Sequence, residues 1–146
     1  MERQPWTGVF KDAHVDDKGA AYLMAAGYPE ETAERLGPTI SIMLISAHKD
    51  SFVQHIITPS VGRFNERVFK LDQVQESTIT HGPNKITKCT SWYHWDEPSR
   101  TLASKFSSSN GTDIAIDLVF SEDYNSLTKY RRAGDVEAIQ EMIRLA

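Results

Sequence analysis

Between an opening extended segment and a long run of β-type sequence lies Ala20–Asp50, AAYLMAAGYPEETAERLGPTISIMLISAHKD, which carries two short helical patterns. Ala20, Tyr22, Leu23 and Ala26 recur at helical spacing until Gly27 ends the pattern and Tyr28-Pro29 punctuates it. Pro29 then suits the first position of a second helix, Pro29–Leu36, with Glu30 and Glu31 near its positive end and Gly37-Pro38 as its stop. The pair reads as a helix-turn-helix insert laid across a mostly β structure. Its second half is too acidic for a DNA-reading unit, because phosphates would be repelled.

The first strand is expected at Pro5–His14, with Trp6 as core near the closed end of a barrel. After Pro38 the period becomes two and β-branched residues accumulate. Candidate strands are Thr39–Ala47, Phe52–Thr58, Gly62–Leu71, Gln73–Thr80, Lys85–Trp95, Arg100–Ser107, Thr112–Ser121 and Ser126–Arg132. Turn signals separate them at His48-Lys49-Asp50, Pro59-Ser60, His81-Gly82-Pro83-Asn84, Asp96-Glu97-Pro98-Ser99, Asn110-Gly111 and Glu122-Asp123. Short strands joined in sequence favour an antiparallel meander that closes to remove its edges. In Thr112–Ser121, residues Ile114, Ile116, Leu118 and Phe120 share one face and Asp113, Ala115 and Asp117 the other, as a wall between interior and solvent requires. Both faces of Thr39–Ala47 are apolar, so one of them meets the helices or a ligand. Beyond Gly134, Val136, Ile139 and Ile143 return to helical spacing with Asp135 as N-cap, which predicts a C-terminal helical extension over 133–146. The expected fold is therefore mainly β: an antiparallel up-and-down barrel of nine or ten strands, a helix-turn-helix lid after the first strand, and an extra C-terminal helix.

A chain of 146 residues fits one domain, 1–146. With 40% apolar and 25% charged residues it has an ordinary globular balance, and its net charge of −4 argues against a nucleic-acid partner. Cys89 is the single cysteine, so no intrachain disulfide is expected and a reducing, cytoplasmic setting is the default. The start, Met-Glu-Arg-Gln-Pro-Trp, has no apolar signal core, and no run reaches the ~18 apolar residues of a membrane span. Asn110-Gly111-Thr112 matches a glycosylation sequon and reads as a turn.

Trp6-x-Gly8-x-Phe10, the Tyr22-Leu23-x4-Gly27 helix, Gly37-Pro38-Thr39-Ile40, Phe69-Lys70-Leu71 and Thr128-Lys129-Tyr130-Arg131-Arg132 follow one another in an order and spacing that resemble the intracellular lipid-binding proteins, the fatty-acid and retinoid carriers, over roughly residues 5–132. The resemblance implies a ten-stranded, water-containing barrel capped by two helices, with ligand entry beneath the lid. It also implies a ligand carboxylate held by two inward arginines and a tyrosine of the strand matched as the last. Tyr130 fills the tyrosine position; Thr128 stands where one arginine is usual, and Ser104 and Lys105 are nearest to the other. If Tyr130 faces inward, Thr128 and Arg132 share its side while Lys129 and Arg131 face out. The expected cavity and portal residues are Tyr22, Met24, Tyr28, Phe64, Trp92, Phe106, Ile116, Thr128, Tyr130 and Arg132.

No catalytic residue is assigned, since nucleophile elbows, phosphate-binding glycine loops and cysteine-histidine metal spacings are all missing. His48, Asp50 and His55 straddle a turn and are not expected to converge on a metal, and no cofactor is expected. The expected function is a non-enzymatic, monomeric carrier of one hydrophobic or amphiphilic small molecule: a fatty acid, a retinoid or a pigment-like compound. Two alternatives stay open: a small-molecule enzyme using the same cavity for acid-base or isomerase chemistry, and an interaction module working through the C-terminal helix.

Overall fold

The computed structural model describes residues 4–82, 85–108 and 113–146; the turn expected at Asn110-Gly111 and the Pro83-Asn84 part of another lie outside them. The elements run β1 (Gly8–Val15), α1 (Gly19–Ala25), α2 (Glu30–Leu36), β2 (Ile42–His48), β3 (Ser51–Thr58), a 3-10 turn at Pro59–Val61, β4 (Arg63–Phe69), β5 (Gln75–Gly82), β6 (Lys85–Asp96), β7 (Thr101–Ser108), β8 (Asp113–Phe120), β9 (Ser126–Ala133) and β10 (Val136–Arg144). The ten strands form one antiparallel sheet in the order β4-β3-β2-β1-β10-β9-β8-β7-β6-β5. The sheet curls into a nearly closed barrel, and β4 and β5 face each other as its two edges.

The C-terminal helix expected over 133–146 is a strand, and it is the strand that a count of nine lacks. Ala133 pairs with Val136 across a two-residue turn in which Gly134 has φ 57, the conformation that glycine takes without penalty. The following residues bond to β9 on one side and β1 on the other, so their backbone polar groups are satisfied in the sheet. Ala138, Gln140 and Met142 point inward, which leaves Ile143 half exposed. The helical spacing of Val136, Ile139 and Ile143 is outweighed by sheet pairing on both sides, and the period-two signal is obscured because one inward position is a glutamine.

The lid helices touch without intervening side chains. A Cβ placed on Gly19 would lie 2.4 Å from the Gly37 carbonyl oxygen, and one on Gly37 2.5 Å from the Ala20 nitrogen. Only glycine permits this approach, so α1 and α2 pack backbone against backbone. Tyr22 and Leu23 of α1 and Ala26 at its C-cap, with Ala33 and Leu36 of α2, turn into the barrel.

The opposite end is filled. Trp6, fully buried, lies 4.6 Å from Phe52 and 5.5 Å from Trp95, centroid to centroid. Phe52 stacks on Phe69 at 5.5 Å and Phe69 on Tyr93 at 3.9 Å, while Phe120 meets both Phe10 and Trp95. These rings fill the floor and leave the hollow in the lid half. Below them Arg144 stacks over Phe10 at 4.6 Å and donates to the carbonyls of Pro5, Thr7 and Tyr124, tying the last strand to the first residues described.

The strand assignment of β10 predicts that Met142→Ala costs about 3 kcal/mol, as core truncations do, whereas Ile143→Ala costs less than about 1 kcal/mol. Urea unfolding of the two variants checks this; a helix packed through Ile143 would reverse the order.

Candidate functional site

Under the lid lies a cavity of about 110 Å³. Its roof is Tyr22, Leu23, Ala26 and Leu36; its walls include Ile56, Thr58, Arg67, Phe106, Ile114, Ile116, Lys129 and Arg131, and Tyr28, Thr39 and Arg63 edge it. A void of about 10 Å³, no larger than one water, continues beneath among Gln54, Tyr93, Ser104 and Leu118 and shares Arg67 and Lys129 with the space above. The seam between the β4 and β5 edges forms a separate lateral opening, lined by Glu66, Arg67, Glu76, Lys88 and Cys89 among others.

The interior is unusual for its cations. β9 runs Leu127, Lys129, Arg131, Ala133 along its inward face, and Lys129 is only 6% exposed. Arg131 lies over the Tyr22 ring at 4.7 Å, and Arg67 over Phe106 at 4.7 Å. At the rim Arg63 donates to the Tyr28 hydroxyl at 2.8 Å. The guanidiniums of Arg131 and Arg67 thus each have a ring against one face, which holds them in place.

Asp16 acts on Arg131 from nearby, and the buried carboxylate facing this group is Asp12. It stands two residues after the buried Phe10 on the inward face of β1, where the register with β10 shifts. Its Oδ2 accepts from the Ser41 backbone nitrogen at 2.8 Å and from Gln140 Nε2 at 3.0 Å. Burial pushes the Asp12 carboxyl above the usual carboxylate range, against the pull of Ser41, Lys129, Arg131 and Gln140. Lys129 is lowered to about 7, because burial strips water from its ammonium and Arg131 repels it, with Asp12 opposing and Arg67 adding to the repulsion. Burial likewise lowers Arg131 and raises Tyr22 and Tyr93. Neither Lys129 nor Arg131 makes a direct ion pair among the described residues, and Arg131 Nε, Asp12 Oδ1 and Gln140 Oε1 are buried with no hydrogen-bond partner.

Of the residues expected to line the cavity, Tyr22, Tyr28, Phe106 and Ile116 do. Met24 lies on the outer side of α1, 42% exposed. Phe64 is on the outer face of β4, stacked on His55 at 5.2 Å. Trp92 is on the outer face of β6, stacked on His94, whose Nδ1 is 2.7 Å from Asp72; the ring that points inward there is Tyr93. Thr128, Tyr130 and Arg132 face outward, and Arg132 pairs with Asp117 and Glu137. The expected parity of this strand is therefore inverted: Lys129 and Arg131 face in. The physical reason is that the segment is the penultimate strand, and the last strand presents Ala138, Gln140 and Met142 inside instead of an arginine and a tyrosine. Leu127 and Ala133, apolar and in phase with Lys129 and Arg131, are the signal for the true parity. Asp12 is detectable in the same way, in phase with Phe10. His55 bonds to Glu66 at 2.8 Å and does not meet His48 or Asp50, and no group of three metal-ligating side chains occurs among the described residues.

This architecture, ten antiparallel strands with two helices after the first, is the fatty-acid-binding-protein fold. A secretary abundant heat soluble protein from Ramazzottius varieornatus superposes with a TM-score of 0.79 at 22% identity, over 98% of this chain and 97% of that one. Fatty-acid-binding protein 1 of Echinococcus granulosus gives 0.82 at 10% identity over 99% and 100%, and a Schistosoma mansoni fatty-acid-binding protein, in complex with arachidonic acid, 0.81 at 14% over 98% of each chain. No known family profile and no curated protein sequence matches the chain.

The buried lysine has a measurable consequence. An unfolded lysine keeps its proton to about pH 10.4, whereas Lys129 in the folded protein loses it near 7. Between these values the unfolded chain binds more protons, so stability rises with pH across that window. Lys129→Met is therefore expected to stabilise the protein at pH 6, with the gain shrinking by on the order of 2 kcal/mol by pH 9. Urea midpoints at the two pH values check it; a constant gain would mean that Lys129 titrates as in water.

Proposed function

We propose that this protein is a non-enzymatic carrier that encloses one hydrophobic or amphiphilic small molecule beneath its lid, with an acidic group of that molecule held by Lys129, Arg131 and Arg67. The observation that carries the reading is the pair Lys129 and Arg131, stripped of water by burial, with Arg67 on the wall of the same apolar-roofed cavity. Burying such charges costs several kcal/mol each unless an opposite charge joins them, and a ligand acid supplies that partner. Leu23, Leu36, Ile114 and Ile116 offer the apolar contact that contributes most of the affinity, at about 25 cal/mol per Å² buried.

The fold neighbours described as fatty-acid-binding proteins, one of them in complex with arachidonic acid, support a ligand of this kind. The cation cluster differs in placement from the clamp that the resemblance implies, so the acid is held on β9 and β4 and not on the last strand. The cavity falls below the roughly 300 Å³ of most ligand pockets, which favours a compact guest or a lid that lifts to admit a larger one. A monomer in a reducing compartment agrees with the single cysteine, and no helix among the described residues is long and apolar enough to cross a membrane.

The test is a titration with 1-anilinonaphthalene-8-sulfonate, an apolar monoanion that fluoresces when desolvated. One equivalent is expected to bind, octanoate is expected to displace it, and Arg131→Met is expected to weaken it at least fivefold while the outward Lys11→Met leaves it unchanged. Absence of dye binding, together with no small molecule found by native mass spectrometry of the purified protein, would remove the proposal.

A further inference from the structure

Arg67 belongs to two spaces at once. It lines the lid cavity of about 110 Å³ and also the open slot of about 780 Å³ between the β4 and β5 edges, and among the described residues no other side chain lines both. The partition between them is therefore a side chain and not a strand. Arg67 is half-buried, rests on Phe106 at 4.7 Å and interacts with Tyr93, so shifting it disturbs side-chain contacts and no backbone hydrogen bond.

The slot differs chemically from the cavity it adjoins. Leu23, Leu36, Ile114 and Ile116 give the cavity apolar surface, whereas Glu66, Thr78, Lys88, Thr90 and Ser107 border the slot. β4 and β5 are the two ends of the sheet and no bridge joins them among the described residues, so the backbone N–H and C=O groups along the slot have no ladder partner there. Hydroxyls and peptide groups of this kind suit a hydrophilic substituent and reject an alkyl chain. Apolar chamber, cationic junction and polar slot thus follow one another along a single path.

We infer that the guest is an amphiphile whose anionic group is internal: a phosphodiester with its alkyl chain under the lid, its phosphate at Arg67 and the polar alcohol of its second ester in the slot. This rests on the carrier reading above and names the class of molecule carried. A carboxylate or a phosphate monoester ends its molecule at the cations and leaves the slot to water. A diester keeps one negative charge and continues past it, and its two free oxygens match the paired donors of a guanidinium.

Isothermal titration of the intact wild-type protein at pH 7.5 tests this with four probes: octanoate, octyl methyl phosphate, the octyl phosphodiester of tetraethylene glycol, and an isomer of that diester with a methyl ester at the phosphate and the glycol at the far end of the octyl chain. The glycol diester is expected to bind within threefold of octyl methyl phosphate and at least fivefold more tightly than its isomer. A chloroacetamide at the glycol end of the diester places the head: Cys89 lines the slot, and its thiol is expected to displace the chloride at least tenfold faster than it does from free chloroacetamide, an acceleration that excess octyl methyl phosphate removes. In a Cys89→Ser, Thr90→Cys variant the introduced thiol is expected to take the label instead. A glycol diester weakened more than threefold, an isomer that binds within fivefold of it, or no accelerated labelling of either thiol would overturn the inference while octanoate binding leaves carriage intact. Failure of octanoate and octyl methyl phosphate alike would overturn carriage and the inference with it.

Discussion

The pairing of β10 with β1 on one side and β9 on the other is what converts a meander into a container. Without it the sheet has two further edges and no inside. With it, Gln140 of β10 reaches Asp12 of β1, Asp16 accepts from the Ile139 nitrogen, and Arg144 is drawn against the first residues of the chain. These contacts join residues more than a hundred positions apart, so the closure is paid for in loop entropy and repaid by the core it encloses. The position of every inward side chain follows from that closure, including the cations.

The two halves of the barrel solve different problems. The floor half is a column of aromatic rings, from Trp6 through Phe52 and Phe69 to Tyr93, and supplies the stability of an ordinary core. The lid half gives up part of that stability to place Lys129 and Arg131 inside, with Asp12 and Asp16 as the carboxylates that act on Arg131. Proteins hold buried charges of this sort where something else depends on them.

Much of the fold is legible in the sequence, because the glycine-proline boundaries of the lid and the two-residue alternation of β8 are local signals. Ile114, Ile116, Leu118 and Phe120 are all inward, as their spacing requires. The site is legible only in part. Tyr22, Tyr28, Phe106 and Ile116 are aromatic or apolar and obey the rule that such residues face in. Lys129, Arg131 and Asp12 disobey it; parity with an inward Tyr130 sends Lys129 and Arg131 outward, and no expectation attaches to Asp12. In β9 the parity inverts because the resemblance matches Tyr130 to a terminal strand, whereas β10 follows it. That last strand escapes notice for a related reason: Gln140 interrupts its apolar face, and Val136, Ile139 and Ile143 mimic a helix.

Arg144 and the backbone bonds between Val9 and the last two residues hold residues 5–9 beside residues 144–146 at the filled end of the barrel. The lid stands at the other pole. A fluorophore, an affinity handle or a surface tether attached at the exposed Leu145 therefore emerges behind the aromatic floor, leaving the doorway clear. Immobilised in that orientation, the molecule would present its opening to the bulk solution.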